Sequence, residues 1–143
     1  MKLVRYGEEG AEKPGFVDVD GTIRDLSGKL AELTPEALSM ASLASLAKVS
    51  ATSLPAGAGG VRLGVPLAGI GKFIAIGLNY ADHAAEANLP LPSEPIVFQK
   101  ANTSLSGPND PVVLPKGSKK SDWEVELGIV IGREPPTSSA PLP

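Results

Sequence analysis

The sequence predicts an α+β, mostly β protein. A small β-rich N-terminal unit occupies residues 1–70, the start of a second β-rich domain follows over 71–133, and a Pro/Ser-rich tail closes residues 134–143. Three observations predict this. Asp20-Gly21 stands between two short alternating runs, and an Asp-Gly pair in that setting signals a hairpin whose turn positions both need positive φ. Asp122 to Ile131 alternates acidic and apolar residues with the period of two that a strand imposes. The 16 glycines and 14 prolines cut 143 residues into short elements joined by many turns.

Leu3 to Tyr6 reads as a short strand. Phe16 to Val19 and Thr22 to Leu26 form the arms of the Asp20-Gly21 hairpin. Thr34-Pro35-Glu36 opens a helix, because Thr34 can accept from a free amide and Pro35 sits where its missing N–H costs nothing. That helix is expected to run through Leu38, Leu43 and Leu46 to about Ala47. Residues 53–71 are rich in Gly, Pro and Ala and read as a connection between two units. Lys72 to Gly77 is a strand, Asn79 to Ala87 a short helix, Ile96 to Lys100 a strand, Ser106 to Asp110 a turn, and Val112 to Leu114 a strand. The acidic alternation over 122–131 is expected to be the last strand. Beyond Arg133 four prolines and no periodic apolar residue exclude a sheet, since proline lacks the donor a ladder needs. The tail reads as disordered, or as the sign of a chain that stops early.

Composition narrows the function. The chain is 42% hydrophobic and 20% charged, as in globular proteins. Its net charge is -3 and it has no basic run to follow a phosphate backbone, which argues against nucleic acid as a partner. The absence of cysteine excludes disulfides, thiolate metal sites and a cysteine nucleophile, and fits a cytoplasmic protein. No apolar stretch reads as a signal core or a membrane span.

Two clusters carry chemistry. In Asp122-Trp123-Glu124-Val125-Glu126-Leu127, the carboxylates fall on one face of the expected strand and the apolar side chains on the other. Carboxylates held close together repel, and a cation between them relieves this. Oxygen-only donors suit Mg²⁺, Mn²⁺ or Ca²⁺ rather than Zn²⁺. The same pattern also describes the solvated face of an antiparallel sheet. The second cluster is Gly77-Leu78-Asn79-Tyr80-Ala81-Asp82-His83-Ala84-Ala85-Glu86, which directly follows a strand. His83 is the sole histidine. Glu86, three positions on, shares its helical face and could orient the imidazole as a base. An ordinary surface histidine beside a solvated glutamate fits the spacing as well.

These two clusters, with Pro95-Ile96-Val97-Phe98-Gln99-Lys100 and Gly107-Pro108 between them, occur in an order and at spacings that together resemble the fumarylacetoacetate hydrolase family. Met1 to Gly7 and Ile23 to Ser27 resemble the small N-terminal domain of its bacterial branch, which includes enzymes acting on acylpyruvates and diketo sugar acids. The resemblance covers residues 1 to about 133. It implies that residues 71–133 begin the family's mixed β-roll. Family members are much longer, and their third metal ligand is an aspartate on a later strand, so the chain matches only the N-terminal half.

The resemblance further implies hydrolysis of a carbon–carbon bond in a short diketo acid. Glu124 and Glu126 would bind Mg²⁺ or Mn²⁺ (Ca²⁺ in crystals). His83, oriented by Glu86, would activate water. Lys100 would contact an anionic substrate group or the enolate, and Tyr80, with Asn79, would shape the substrate loop. The family's lyases, isomerases and decarboxylases share the enolate chemistry and are the alternatives. An inactive fragment serving only as a folding or interaction module is another. The expected partners are a small 2-oxo or diketo acid and a second copy of the chain, as a homodimer or higher oligomer.

Overall fold

The computed structural model describes residues 1–132. The expected tail over 134–143 lies outside the described residues. The chain forms two antiparallel sheets with few helices and divides into two compact units. One is Met1–Gly69 together with the described residues from Gly107 onward; the other is Ile70–Ser106.

The first unit is built on a three-stranded sheet, β1 (Lys2–Tyr6), β2 (Lys13–Val17) and β3 (Ile23–Asp25), in that spatial order. β1 pairs with β2 from Lys2↔Val17 to Tyr6↔Lys13. β2 begins three residues before the run expected from sequence, passing through Pro14. Proline lacks only the donor, and the Pro14 carbonyl still accepts from the Leu26 amide at 2.9 Å. Gly15 is required within this strand: a Cβ there would lie 2.9 Å from both the Tyr6 ring and the Arg24 carbonyl.

The β2–β3 hairpin forms where Asp20-Gly21 predicts it, but with a different turn. Only Gly21 has positive φ, at 85°. The Gly21 amide donates to the Asp18 carbonyl at 3.1 Å, and the Asp18 amide to the Thr22 carbonyl at 2.9 Å. This is a three-residue loop closed by a left-handed glycine, so Asp20 needs no positive φ. Its carboxylate instead accepts from the Thr22 amide at 2.9 Å.

The single helix expected over 34–47 is broken. Residues Glu36–Leu38 make one 3₁₀ turn, Ser39 is extended with ψ 149°, and α1 runs over Met40–Leu46. Ser39 accepts from the Ser42 amide through its side chain at 3.3 Å, and this capping alternative interrupts the helix. The core is the cluster of Phe16, Leu26, Leu46 and Leu54, with Leu3, Leu30, Val49 and Ala51 packed against it.

Residues 53–69 are no loose connection. They run back along the first sheet through hydrogen bonds from Asp25 to Pro55, Gly57 to Ile23, Gly7 to Arg62, Gly64 to Arg5 and Ala68 to Leu33. Low-propensity residues suit a segment whose carbonyls and amides bind an existing edge rather than build a new element.

The second unit contains β4 (Phe73–Gly77), α2 (Ala81–Glu86) and β5 (Ile96–Lys100). β4 and β5 pair from Phe73↔Lys100 to Gly77↔Ile96. The strands expected at Val112 to Leu114 and over 122–131 are not formed: these residues join neither sheet and are exposed, Trp123 at 79% and Val125 at 77%. Alternation specifies two faces, but a strand also needs an edge to pair with. Among the described residues no helix is long and apolar enough to cross a membrane.

Candidate functional site

The loop between β4 and α2 delivers the sequence-predicted base. Gly77 ends β4, and Leu78 then takes the left-handed region at φ 48°. For a branched residue that conformation costs on the order of 1–2 kcal/mol, a strain that marks a forced strand-to-helix turn. Tyr80 holds the N-cap position with an extended backbone, and its carbonyl accepts from the Ala84 amide at 3.2 Å. α2 has six residues. Ala84 is its buried residue, while His83 and Glu86 are exposed. The Asp82 carboxylate accepts from the His83 amide at 2.9 Å. Asn88, at φ 53°, ends the helix: its amide donates to the Ala85 carbonyl at 3.0 Å, and the Leu89 amide to Ala84 at 2.9 Å. That pair of bonds is a Schellman cap.

Tyr80, His83, Glu86 and Lys100 therefore fall in one unit. Lys100 is the last residue of β5, half-buried, opposite Phe73. His83 and Glu86 are three positions apart on α2, close enough in sequence to share a face. Among the described residues no hydrogen bond joins their side chains.

Glu124 and Glu126 belong to the other unit and are exposed. Among the described residues neither takes part in a hydrogen bond or ion pair. Neighbouring Asp122 turns its carboxylate onto the Trp123 amide at 2.8 Å. The glutamates are hard oxygen donors and fit a dication in kind, since Mg²⁺ commonly takes one or two protein carboxylates and keeps several waters. Among the described residues no group of three or more His, Asp or Glu side chains is placed to hold a metal ion.

A charged network in the first unit escaped the sequence reading. Arg5 grips Glu32 with two bonds of 2.9 and 3.0 Å and reaches Glu12 at 3.4 Å. Arg62 bonds Glu12 at 2.9 Å and holds both oxygens of Asp110 at 2.7 Å. Hydrogen bonds from Arg62 hold Glu12 and Asp110 below the usual carboxylate range, and those from Arg5 do the same for Glu32. The one local signal was Gly107-Pro108-Asn109-Asp110, where an aspartate can close a turn on its own backbone. Asp110 does so, accepting from the Gly107 amide at 2.7 Å.

The region that carries His83, Lys100 and the glutamates also matches a known family. Residues 72–141 match the model described as fumarylacetoacetate (FAA) hydrolase C-terminal. Over these residues the chain is similar to the fumarylacetoacetate hydrolase family. Relatives extend the match across both units. A protein of Sphingomonas sp. (strain SKA58) named 2,4-didehydro-3-deoxy-L-rhamnonate hydrolase is 61% identical over 132 residues, covering 92% of this chain and 45% of that protein. A protein of Burkholderia ambifaria (strain MC40-6), named only as a hydrolase, is 56% identical over the same length, covering 92% of this chain and 47% of its own. The chain thus spans about half the length of the curated relatives it matches.

Proposed function

We propose that the whole protein hydrolyses a carbon–carbon bond in a short, sugar-derived diketo acid, releasing a 2-oxo acid and a carboxylic acid. The observation that carries this is the coincidence of the family match over 72–141 with a relative at 61% identity whose name specifies a didehydro-deoxy sugar acid. In this reading residues 1–70 are the small N-terminal domain and 71–133 begin the catalytic mixed β-roll. The protein acts in the cytoplasm as a homodimer or higher oligomer.

Glu124 and Glu126 would hold Mg²⁺ or Mn²⁺. When bound, the dication supplies positive charge that stabilises an enolate leaving group. The other roles fall to this chain's own side chains. The His83 imidazole takes a proton from the attacking water, and Glu86, three positions on along α2, is the carboxylate assigned to orient the ring. Lys100 offers a point charge to the substrate's anionic end, and Tyr80 borders the substrate at the start of α2. Their support is position: all four lie on or beside the two strands and one short helix of a single unit.

The test is turnover by the whole protein on a panel of acylpyruvates and 2,4-didehydro-3-deoxy-L-rhamnonate, with release of the 2-oxo acid as the readout. His83→Ala should lower kcat by about 10²–10⁴-fold and leave Mn²⁺ binding intact. The Glu124→Ala, Glu126→Ala double variant should lose Mn²⁺ binding as well. No 2-oxo acid from any substrate, or normal metal-dependent turnover in the double variant, would end this reading.

A further inference from the structure

We propose that the Arg62–Asp110 pair is an ionic latch that draws together the two stretches of chain flanking residues 70–106, and that it opens without unfolding the sheet β1–β3. Arg62 and Asp110 are 48 positions apart, and both belong to the first unit, while the residues between Gly69 and Gly107 form the second. The guanidinium binds the carboxylate through Nε and Nη2, each at 2.7 Å. This bidentate geometry is the strongest form of such a pair. Asp110 also accepts from the Gly107 amide, so the returning chain is fixed in a tight turn at the latch.

The outgoing side is held by the same network. Arg62 donates to the Gly7 carbonyl at 3.2 Å and to Glu12 at 2.9 Å. Behind it, Arg5 donates to the Val65 carbonyl at 3.2 Å, to Glu12 and to Glu32. Asp110 therefore faces one charged group, Arg62, and Arg62 faces two carboxylates. Arg62 and Asp110 are only partly buried, at 27% and 18% of side-chain exposure, so water can replace the bonds when they part.

Local opening follows from what the latch does not touch. The core of Phe16, Leu26, Leu46 and Leu54 contains neither partner. Among the described residues after Ser106, Gly107 alone is buried. The returning chain is thus fastened by charge and by close backbone approaches, Gly107 to Leu63 and Gly132 to Leu38, rather than by burial of large apolar side chains, and such segments open below the free energy of global unfolding.

The experiment is amide hydrogen exchange on the 143-residue chain. Asp110→Asn keeps the shape and an acceptor for Gly107 but removes the charge. Exchange at Gly107 and Asp110 should rise about ten-fold or more, the expectation for losing a charge-assisted bidentate pair. The β1 and β2 amides should keep their rates, and wild-type protein in 1 M salt should move in the same direction. Unchanged exchange at Gly107 and Asp110 would overturn the proposal. A parallel rise in β1 and β2 would overturn it too, since the pair would then belong to the cooperative core. The result does not depend on the hydrolase reading, because nothing measured involves catalysis.

Discussion

Gly107 tolerates no side chain. A Cβ there would collide with the Leu63 carbonyl and come within 2.7 Å of the Asp110 carboxylate that caps its own amide. Backbone cannot swing aside as a flexible side chain can, so Gly107→Ala should cost about 1–3 kcal/mol, the usual penalty for forced overpacking. Urea unfolding followed by fluorescence checks it, and an unchanged midpoint would show that the turn repacks freely. Such constraints were only half legible from sequence. Gly107-Pro108 announced a turn, but not that Leu63 lies against it, since contacts of long sequence separation leave no local pattern. The same holds for the charged network, whose members are separated by 7, 27, 48 and 50 positions. His83 stood out because it is the sole histidine and sits just after a strand. Glu124 and Glu126 stood out by their period of two, a pattern that names residues without saying what they face.

Elements that pair locally were read well, and those that need a distant partner were not. β5 has the bounds expected of it, and β4 and α2 lie within theirs: Gly77 ends β4, Pro95 precedes β5, and the left-handed Asn88 closes α2. The helix over 34–47 was over-extended because periodic leucines outweighed Ser39, which caps a new helix rather than continuing the old one. Residues 122–131 carry the strongest alternation in the chain, yet join no sheet among the described residues. The cap of α2 gives a sharp test at this scale. Asn88 is left-handed at φ 53° and carries the Schellman bonds. Asparagine tolerates that region and alanine does not, so Asn88→Ala should destabilise the helix end by about 1 kcal/mol. Asn88→Gly should leave it unchanged or slightly firmer. Amide exchange at Asn88 and Leu89 measures both; equal protection in the two variants would mean the cap contributes nothing to holding His83.

Across the whole molecule, a charged network ties the first unit and the second unit's sheet lacks apolar cover, and each condition has a measurable consequence. Glu12 and Glu32, ordinarily at 4.5, and Asp110, ordinarily at 3.8, are all held lower by their arginine partners. A depressed folded value means the unfolded chain binds the proton more tightly. The stabilisation is therefore complete above the ordinary values and is lost as pH falls through the folded ones. Tyr6 runs the opposite way: burial, then its bond to Asp25, pushes the phenol from 10 up to about 12, so its contribution holds below pH 10 and fades between 10 and 12. Urea midpoints should be flat near neutrality, fall below about pH 4.5 and fall again above pH 10; a midpoint that rose on acidification would contradict the network. The apolar side concerns β4 and β5. Ile74 is 50% exposed and Val97 63%, and among the described residues no further strand pairs with either edge of this two-stranded sheet. Trp123, Ile129 and Ile131 add more exposed apolar area. Open edges recruit other chains, and exposed apolar patches associate. The 143-residue chain made alone should therefore sediment with a mass that grows with concentration. Charged substitutions at Ile74 and Val97 should reduce that growth while leaving the first unit's unfolding midpoint in place. A monomer of constant mass across the accessible concentration range would show that these faces do not drive association.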